Sequence, residues 1–201
     1  MDEFNSIPIN NELKSEIDEK RSRFLAFAKY VDNSEDAEQF YREKRKEFSD
    51  AKHIVFAYRL LNVSRASGDG EPSGTAGRPI LQVLEKMNLY NVIVVVVRYF
   101  GGVKLGAGPL LRVYSNSVTK VLGANIVNYE KAIKERVQIT FAEFESILQM
   151  SIRGEIAIRD IEFSDGVTLT IIHPKDKDFN FLKVLSSEEI FYSFKSKNKQ
   201  K

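Results

Sequence analysis

Two glycine-rich stretches hold most of the residues able to do chemistry. The first runs Ser67-Gly68-Asp69-Gly70-Glu71-Pro72-Ser73-Gly74-Thr75-Ala76-Gly77-Arg78-Pro79, four glycines in thirteen residues. Glycines at that density let the backbone approach a ligand and turn its N–H groups outward. Ser73 or Thr75 is placed to cap a following helix, and Arg78 adds positive charge at its start. Asp69 and Glu71 can hold a divalent cation, with His53 a further polar candidate. Two carboxylates on one loop are a weak metal signal, and an Asx-type turn beside a capped helix is the favoured reading, so no metal site is assigned.

The second stretch runs from Arg98 to Arg112 and contains Gly101, Gly102, Gly106 and Gly108 ahead of Pro109. It leads from a strand end through a flexible turn to a helix N-terminus, where free N–H groups and the helix dipole favour an anion. Arg98, Lys104 and Arg112 stand close by, so phosphate is the natural guest. The alternative is a tight turn whose glycines serve packing only. Tyr99 suits either base stacking or the core. The stretch is neither a Walker loop nor a dinucleotide fingerprint. The anion or nucleic-acid site read from both stretches comprises Arg98, Tyr99, Gly101, Gly102, Lys104, Gly106, Gly108, Arg112, Arg78 and Thr75.

Residue types that mark common enzymes are scarce. The chain has two histidines and no cysteine. Thiolate nucleophiles, thiolate zinc sites and disulfides are thereby excluded. His53 reads as a hydrogen-bonded residue of a strand, and His173, before Pro174, as a surface residue at a strand end. No G-x-S-x-G elbow and no H-E-x-x-H helix occurs. No catalytic residue and no cofactor is assigned.

The elements that position these loops follow from periodicity. Arg23 to Val31 reads as a strand, paired with Glu12 to Ile17 through a polar turn. Asp32, Asn33 or Ser34 caps a helix with Ala37, Phe40, Tyr41 and Phe48 inward and Arg42, Lys44, Arg45 and Lys46 outward. His53 to Leu60 alternates as a strand. Asn62 to Gly77 reads as loop, Ile80 to Met87 as a helix, and Asn91 to Phe100 as a strand covered on both faces. Pro109 opens a third helix with Leu110, Val113, Tyr114, Val118, Val121 and Leu122 along its buried side, and Gly123 ends it. Beyond it, strands and helices follow in the order βαββαβ. Their second helix is expected over Phe179, Leu182 and Leu185, and their last strand over Ile190 to Phe194. Asp165-Gly166 marks a hairpin. The boundary falls near Asn125 to Lys131, giving domains 1–128 and 129–201.

With 43 % hydrophobic and 29 % charged residues, the 201-residue chain has a globular composition. The polar N-terminus and the shortness of the apolar run Val92 to Val97 fit a cytoplasmic protein without a membrane span. A net charge of +2 is too small for nucleic-acid binding to follow from totals. Basic surface must therefore be local. The tail Lys195, Lys197, Lys199 and Lys201 reads as a solvated end.

Gly77-Arg78-Pro79-Ile80-Leu81, Leu84, Leu89 and the run Val95-Val96-Val97-Arg98-Tyr99-Phe100-Gly101-Gly102-Val103-Lys104-Leu105-Gly106 resemble the signature of the IMPACT (YigZ-like) family. Gly68 to Gly77 and Ala51-Lys52-His53 resemble its other hallmarks, over about residues 10 to 125. Gly68 stands where the family usually carries a second acidic residue, which weakens any paired-carboxylate chemistry. The resemblance implies an α+β protein: an N-terminal α/β sandwich like the second domain of a ribosomal small-subunit protein, and a C-terminal ferredoxin-like domain like those of elongation factor G. It also implies a link to translation, with RNA, the ribosome or a protein of the translation machinery as partner. The leading expectation is a non-enzymatic RNA- or ribosome-associated regulator of translation. The alternatives are an enzyme on a phosphorylated or nucleotide substrate, and a protein-binding adaptor.

Overall fold

The computed structural model describes residues 2–9, 11–179 and 181–194. The chain divides into two compact units, one from Asn5 to Val127 and one from Asn128 onward together with the residues up to Phe4. The tail lysines Lys195, Lys197, Lys199 and Lys201 lie outside the described residues.

The first unit is built on a five-stranded antiparallel sheet. Its strands are β2 (Leu13–Glu19), β3 (Ser22–Tyr30), β4 (His53–Arg59), β5 (Ser64–Ser67) and β6 (Val92–Tyr99), in the order β2-β3-β6-β4-β5. The β2–β3 hairpin turns on Lys20 and Arg21, both left-handed at φ 47° and 67°. That pair of positive φ values matches the right-handed twist of the flanking strands. β6 is central, and its valines and isoleucine from Val92 to Val97 are all buried. The uninterrupted apolar run therefore reflects burial on both faces, although the sheet is antiparallel.

Helix α1 (Ser34–Glu47) covers one face. Asn33 caps it, its side chain accepting from the Asp36 N–H at 2.9 Å. Ala37 and Phe40 pack there against Leu25, Phe27, Ile54, Phe56, Tyr58, Ile93, Val95 and Val97. Lys44 departs from the expected solvated face. Its side chain is 7 % exposed, its ammonium lies 4.4 Å from the Phe27 ring centre, and it bonds Glu12 at 2.8 Å and Glu47 at 2.9 Å. A lysine stem covers apolar surface well when its head finds acidic partners.

Helices α2 (Gly77–Lys86) and α3 (Ala107–Leu122) lie together, α2 on β4 and β5, α3 on β2 and β3. Tyr114 of α3 meets Phe24 edge to face at 5.4 Å, which puts α3 on the sheet face opposite α1. Two expectations change here. The stretch from Asn62 is not all loop, since Ser64–Ser67 pairs with β4. Helix α3 begins at Ala107, so Pro109 is its third residue rather than its first. Both sites suit proline, because the first-turn N–H has no helical acceptor in either case.

The second unit carries the start of β1 (Glu3–Ser6), all but the first residue of β7 (Val127–Ile139), α4 (Phe141–Ile152), β8 (Ala157–Phe163), β9 (Val167–Pro174) and β10 (Lys183–Tyr192). Antiparallel pairing gives the path β10-β7-β9-β8, with β1 also beside β7. This is the strand arrangement of a ferredoxin-like sheet. Thr140 and Glu143 form a complete capping box on α4. Among the described residues no helix forms where the second one was expected. Phe179 accepts from the Leu182 N–H at 2.8 Å in a turn, and Leu185 already lies in β10, which starts before Ile190. Phe179 and Leu182 are buried as a helix face would be, but the turn delivers them to the core directly. His173 is also inside rather than on the surface: its ring packs 4.6 Å from Phe179 and its Nδ1 lies 2.9 Å from the Pro174 carbonyl. β8 is broken between Arg159 and Glu162 by a bulge, with Asp160 at φ 48°.

Candidate functional site

Three side chains stand in a row across the α3 face of the first sheet. Phe24 of β3 pairs with Arg98 of β6, which pairs in turn with His53 of β4. The loop from Gly68 to Ala76 folds over this row and lowers Glu71 onto it. The Glu71 side chain is 2 % exposed and that of Arg98 6 %. Arg98 Nη1 donates to both carboxylate oxygens, at 2.7 and 2.9 Å. The Tyr114 hydroxyl donates to Oε1 at 2.7 Å, and His53 Nε2 is 4.0 Å from Oε2. Burial first, and then the charge of Glu71, hold the Tyr114 phenol well above its ordinary pKa. Tyr114 is therefore a donor at every physiological pH.

Asp69 anchors the same loop. Its carboxylate accepts from the Ile54 N–H at 2.7 Å, and its carbonyl lies 2.7 Å from His53 Nδ1. A carbonyl only accepts, so Nδ1 carries a proton, and Nε2 faces the Glu71 side. Asp69 is left-handed at φ 44°, a conformation aspartate tolerates. Asp69 and Glu71 are thus both engaged by protein donors. Thr75 is buried and donates to the Pro72 carbonyl at 2.6 Å, so it does not cap α2, and neither does Ser73. Ala76 is the residue at that cap, and no side chain accepts from the first turn.

The residues of the second stretch separate into three groups. Arg98 is inside, its guanidinium carbon 5.4 Å from the Phe24 ring and 5.6 Å from the exposed Phe100 ring. Tyr99 points to the opposite, α1 face, where its hydroxyl donates to Asp50 at 2.9 Å. Lys104 and Arg112 are exposed, as is Arg78 at the start of α2, and none of the three forms an ion pair among the described residues. The glycines divide likewise. Gly101 lies against the β2–β3 turn, where a Cβ would come within 2.0 Å of the Arg21 backbone. Gly102 and Gly106 have φ 84° and 81°. Gly108 is unconstrained, with no atom within 4 Å of its Cβ position.

Helix α3 starts bare. Gly106 offers no side-chain cap and its first turn holds no acidic residue, and α2 is alike in both respects. Their leading N–H groups keep the donor capacity and partial positive charge that favour anions. A groove of about 590 Å³ opens beside the first loop, lined by Ser64, Arg65, Gly70, Ser73, Arg78 and Leu81 among others. Periodicity alone missed Tyr114, which it assigned only to a buried helix face. The signal available was chemical: a buried tyrosine hydroxyl needs a partner.

A model of the Impact N-terminal domain matches residues 20–122, just over half of the 201 residues. The chain belongs to the IMPACT family. Among its relatives, "IMPACT family member YvyE" of Bacillus subtilis is 35 % identical over 154 residues, covering 74 % of this chain and 70 % of that protein. "IMPACT family member YigZ" of Escherichia coli is 38 % identical over 108 residues, covering 51 % of this chain and 53 % of its own length. A solved structure described as a crystal structure of a hypothetical protein superposes with a TM-score of 0.64 at 26 % identity, covering 90 % of both chains. The Impact domain match encloses both glycine-rich stretches, so the Glu71–Arg98–Tyr114 cluster and the bare start of α3 lie wholly inside the IMPACT domain. Among the described residues, no helix is long and apolar enough to cross a membrane.

Proposed function

We propose that this IMPACT family chain is a binding module for RNA, free or in the ribosome, that acts in the control of translation. The observation that carries the reading is the set of exposed cations Lys104, Arg112 and Arg78 near the uncapped starts of α3 and α2. Phosphates are met there by charge, by backbone N–H groups and by dipole at once. Arg98 has a different role from the other cations, since Glu71 already neutralises it. The polymer's backbone is therefore held from outside, by Lys104 and Arg112.

Each cation that neutralises a phosphate releases counterions, so the salt slope of binding counts such contacts. Lys104→Ala is expected to weaken binding about equally for all RNA sequences and to flatten the salt slope by about one unit. Titrations of a labelled oligoribonucleotide at several salt concentrations measure both quantities. A folded Lys104→Ala protein with unchanged affinity and slope removes this loop from the RNA reading. A protein-binding adaptor then becomes the leading account.

A further inference from the structure

We propose that the outer flank of α4, together with Phe163 of β8, is a docking face for a cationic amphipathic helix of another protein. Helix α4 carries more large apolar residues than one helix face can hold. Phe144, Ile147 and Met150, three apart, pack into the core of the second unit. Phe141, Leu148 and Ile152, seven and four apart, form a second stripe centred about 120° further round the helix, at 3.6 residues per turn. This stripe takes no part in that core. All three of its residues are exposed, Phe141 at 57 % and Ile152 at 69 %.

A single exposed leucine would mean nothing, whereas a continuous apolar surface marks an interaction site. Phe163 extends the stripe from the helix onto β8. Its ring lies parallel to that of Phe141 with centres 6.5 Å apart, and it meets Phe144 edge to face at 5.6 Å. It remains exposed all the same. From Phe141 to Ile152 the helix rises about 16 Å, a ridge three turns long. A second helix lies along such a ridge with its axis about 8–10 Å away.

The charges beside the ridge select the sign of the partner. Glu145 sits on the same flank, four residues after Phe141 and three before Leu148. Asp160 lies on β8 and Asp165 in its turn to β9. These three carboxylates are exposed, and none forms an ion pair among the described residues. The cations nearby are engaged elsewhere. Arg153 bonds Glu155 at 2.6 Å. Arg159 pairs with Thr170, which alternates with the core residues Leu169 and Ile171, so it faces the other side of the sheet and donates to Tyr192 at 3.0 Å. An apolar ridge with a carboxylate margin favours a helix that carries lysine or arginine beside its own apolar stripe, and it repels nucleic acid. The RNA reading concerns cations of the first unit alone, so the two stand or fall separately.

The test uses the full-length chain and a fluorescein-labelled peptide of leucine and lysine, patterned as an amphipathic helix of about 18 residues to span the ridge. A second peptide keeps every leucine and replaces lysine by glutamate. The lysine peptide is expected to bind about tenfold more tightly than the glutamate peptide, with an affinity that falls as salt rises. Ile152→Ser on α4 and Phe163→Ser on β8 should each weaken it about tenfold, or about 1.4 kcal/mol. Glu145→Lys should weaken it too and reduce its salt dependence. Val63→Ser, at a 43 %-exposed apolar residue of the first unit, should change nothing. Absence of binding, equal affinity for the two peptides, or an equal loss in Val63→Ser overturns the proposal. So does a dimer of the parent chain in sedimentation that Ile152→Ser makes monomeric, since the face then belongs to a second copy. Circular dichroism follows the folding of each variant, and one folded variant of the two serine changes suffices to decide. Failure of both to fold would make the stripe part of the core and overturn the proposal as well.

Discussion

Arg98→Ala is expected to lower the stability of the first unit by about 3–5 kcal/mol, because it leaves the 2 %-exposed carboxylate of Glu71 facing a cavity without its partner. The cost comes from the stranded charge rather than from the net worth of the pair. Two ions taken out of water recover their desolvation only through close geometry, so an intact buried pair contributes little net stability. The double change Arg98→Met, Glu71→Leu should consequently recover most of the loss. Urea unfolding of the full chain, with both single variants and the double, measures the coupling directly. A single-variant loss below about 1 kcal/mol, the range of exposed pairs, would show that water screens this pair after all.

Gly101→Ala is the second large effect. The new Cβ would sit 2.0 Å from both C and O of Arg21 and 2.5 Å from the Ser22 N. These are backbone atoms, and they belong to a hairpin turn already in left-handed conformation. No side-chain rotation relieves the clash, so either the hairpin or the start of the loop to α3 must shift. Overpacked sites lose about 1–3 kcal/mol, and a backbone contact this short belongs at or above the upper end. Gly108→Ala is the matched control. It lies in the first turn of α3 with no atom within 4 Å of the new Cβ, so it should be neutral or stabilising by up to about 1 kcal/mol. Equal melting temperatures for the two variants would contradict the packing of Gly101 against the hairpin.

Much of this architecture could be read from residue types. A cap among Asp32, Asn33 and Ser34 announced α1, where Asn33 proves to be the capping residue, and Asp165-Gly166 announced the β8–β9 hairpin. The run from Val92 to Val97 had to be a strand buried on both faces. The failures share a cause: each residue was judged by its own neighbours in sequence when its environment came from far along the chain. Lys44 looked like part of a solvated basic face, yet Glu12, thirty-two positions away, makes its burial tolerable. Phe179, Leu182 and Leu185 have helical spacing, but two are buried by a turn and one lies in a strand. His173 precedes a proline, a feature of strand ends, and the Phe179 ring encloses it all the same.

The candidate site was legible as a neighbourhood rather than as a mechanism. Glycine spacing located both loops, and basic residues marked the second as a place for anions. Nothing local showed that Arg98 would be satisfied by Glu71, twenty-seven positions earlier, or that Tyr99 would face the other side of the sheet. The alternation of a strand predicts that adjacent residues part company, so Arg98 and Tyr99 could not both line one site. That inference needed only the strand and was available from the sequence. The role of Tyr114 needed the third dimension, since α3 brings its hydroxyl to the loop across forty-three positions of chain.

The bulge in β8 has a consequence for how the molecule behaves in a crowd. β8 ends the path β10-β7-β9-β8, so among the described residues no strand pairs with its outer side, and it displays Ile161 and Phe163 at 43 % and 63 % exposure. A straight strand with that composition is a template on which another chain can add itself. The left-handed Asp160 and the register shift between Arg159 and Glu162 bend the strand just where such growth would start, and Glu162 places a charge in it. Irregularity here acts as a guard against self-association. A straightened β8 would offer that edge for pairing with another chain.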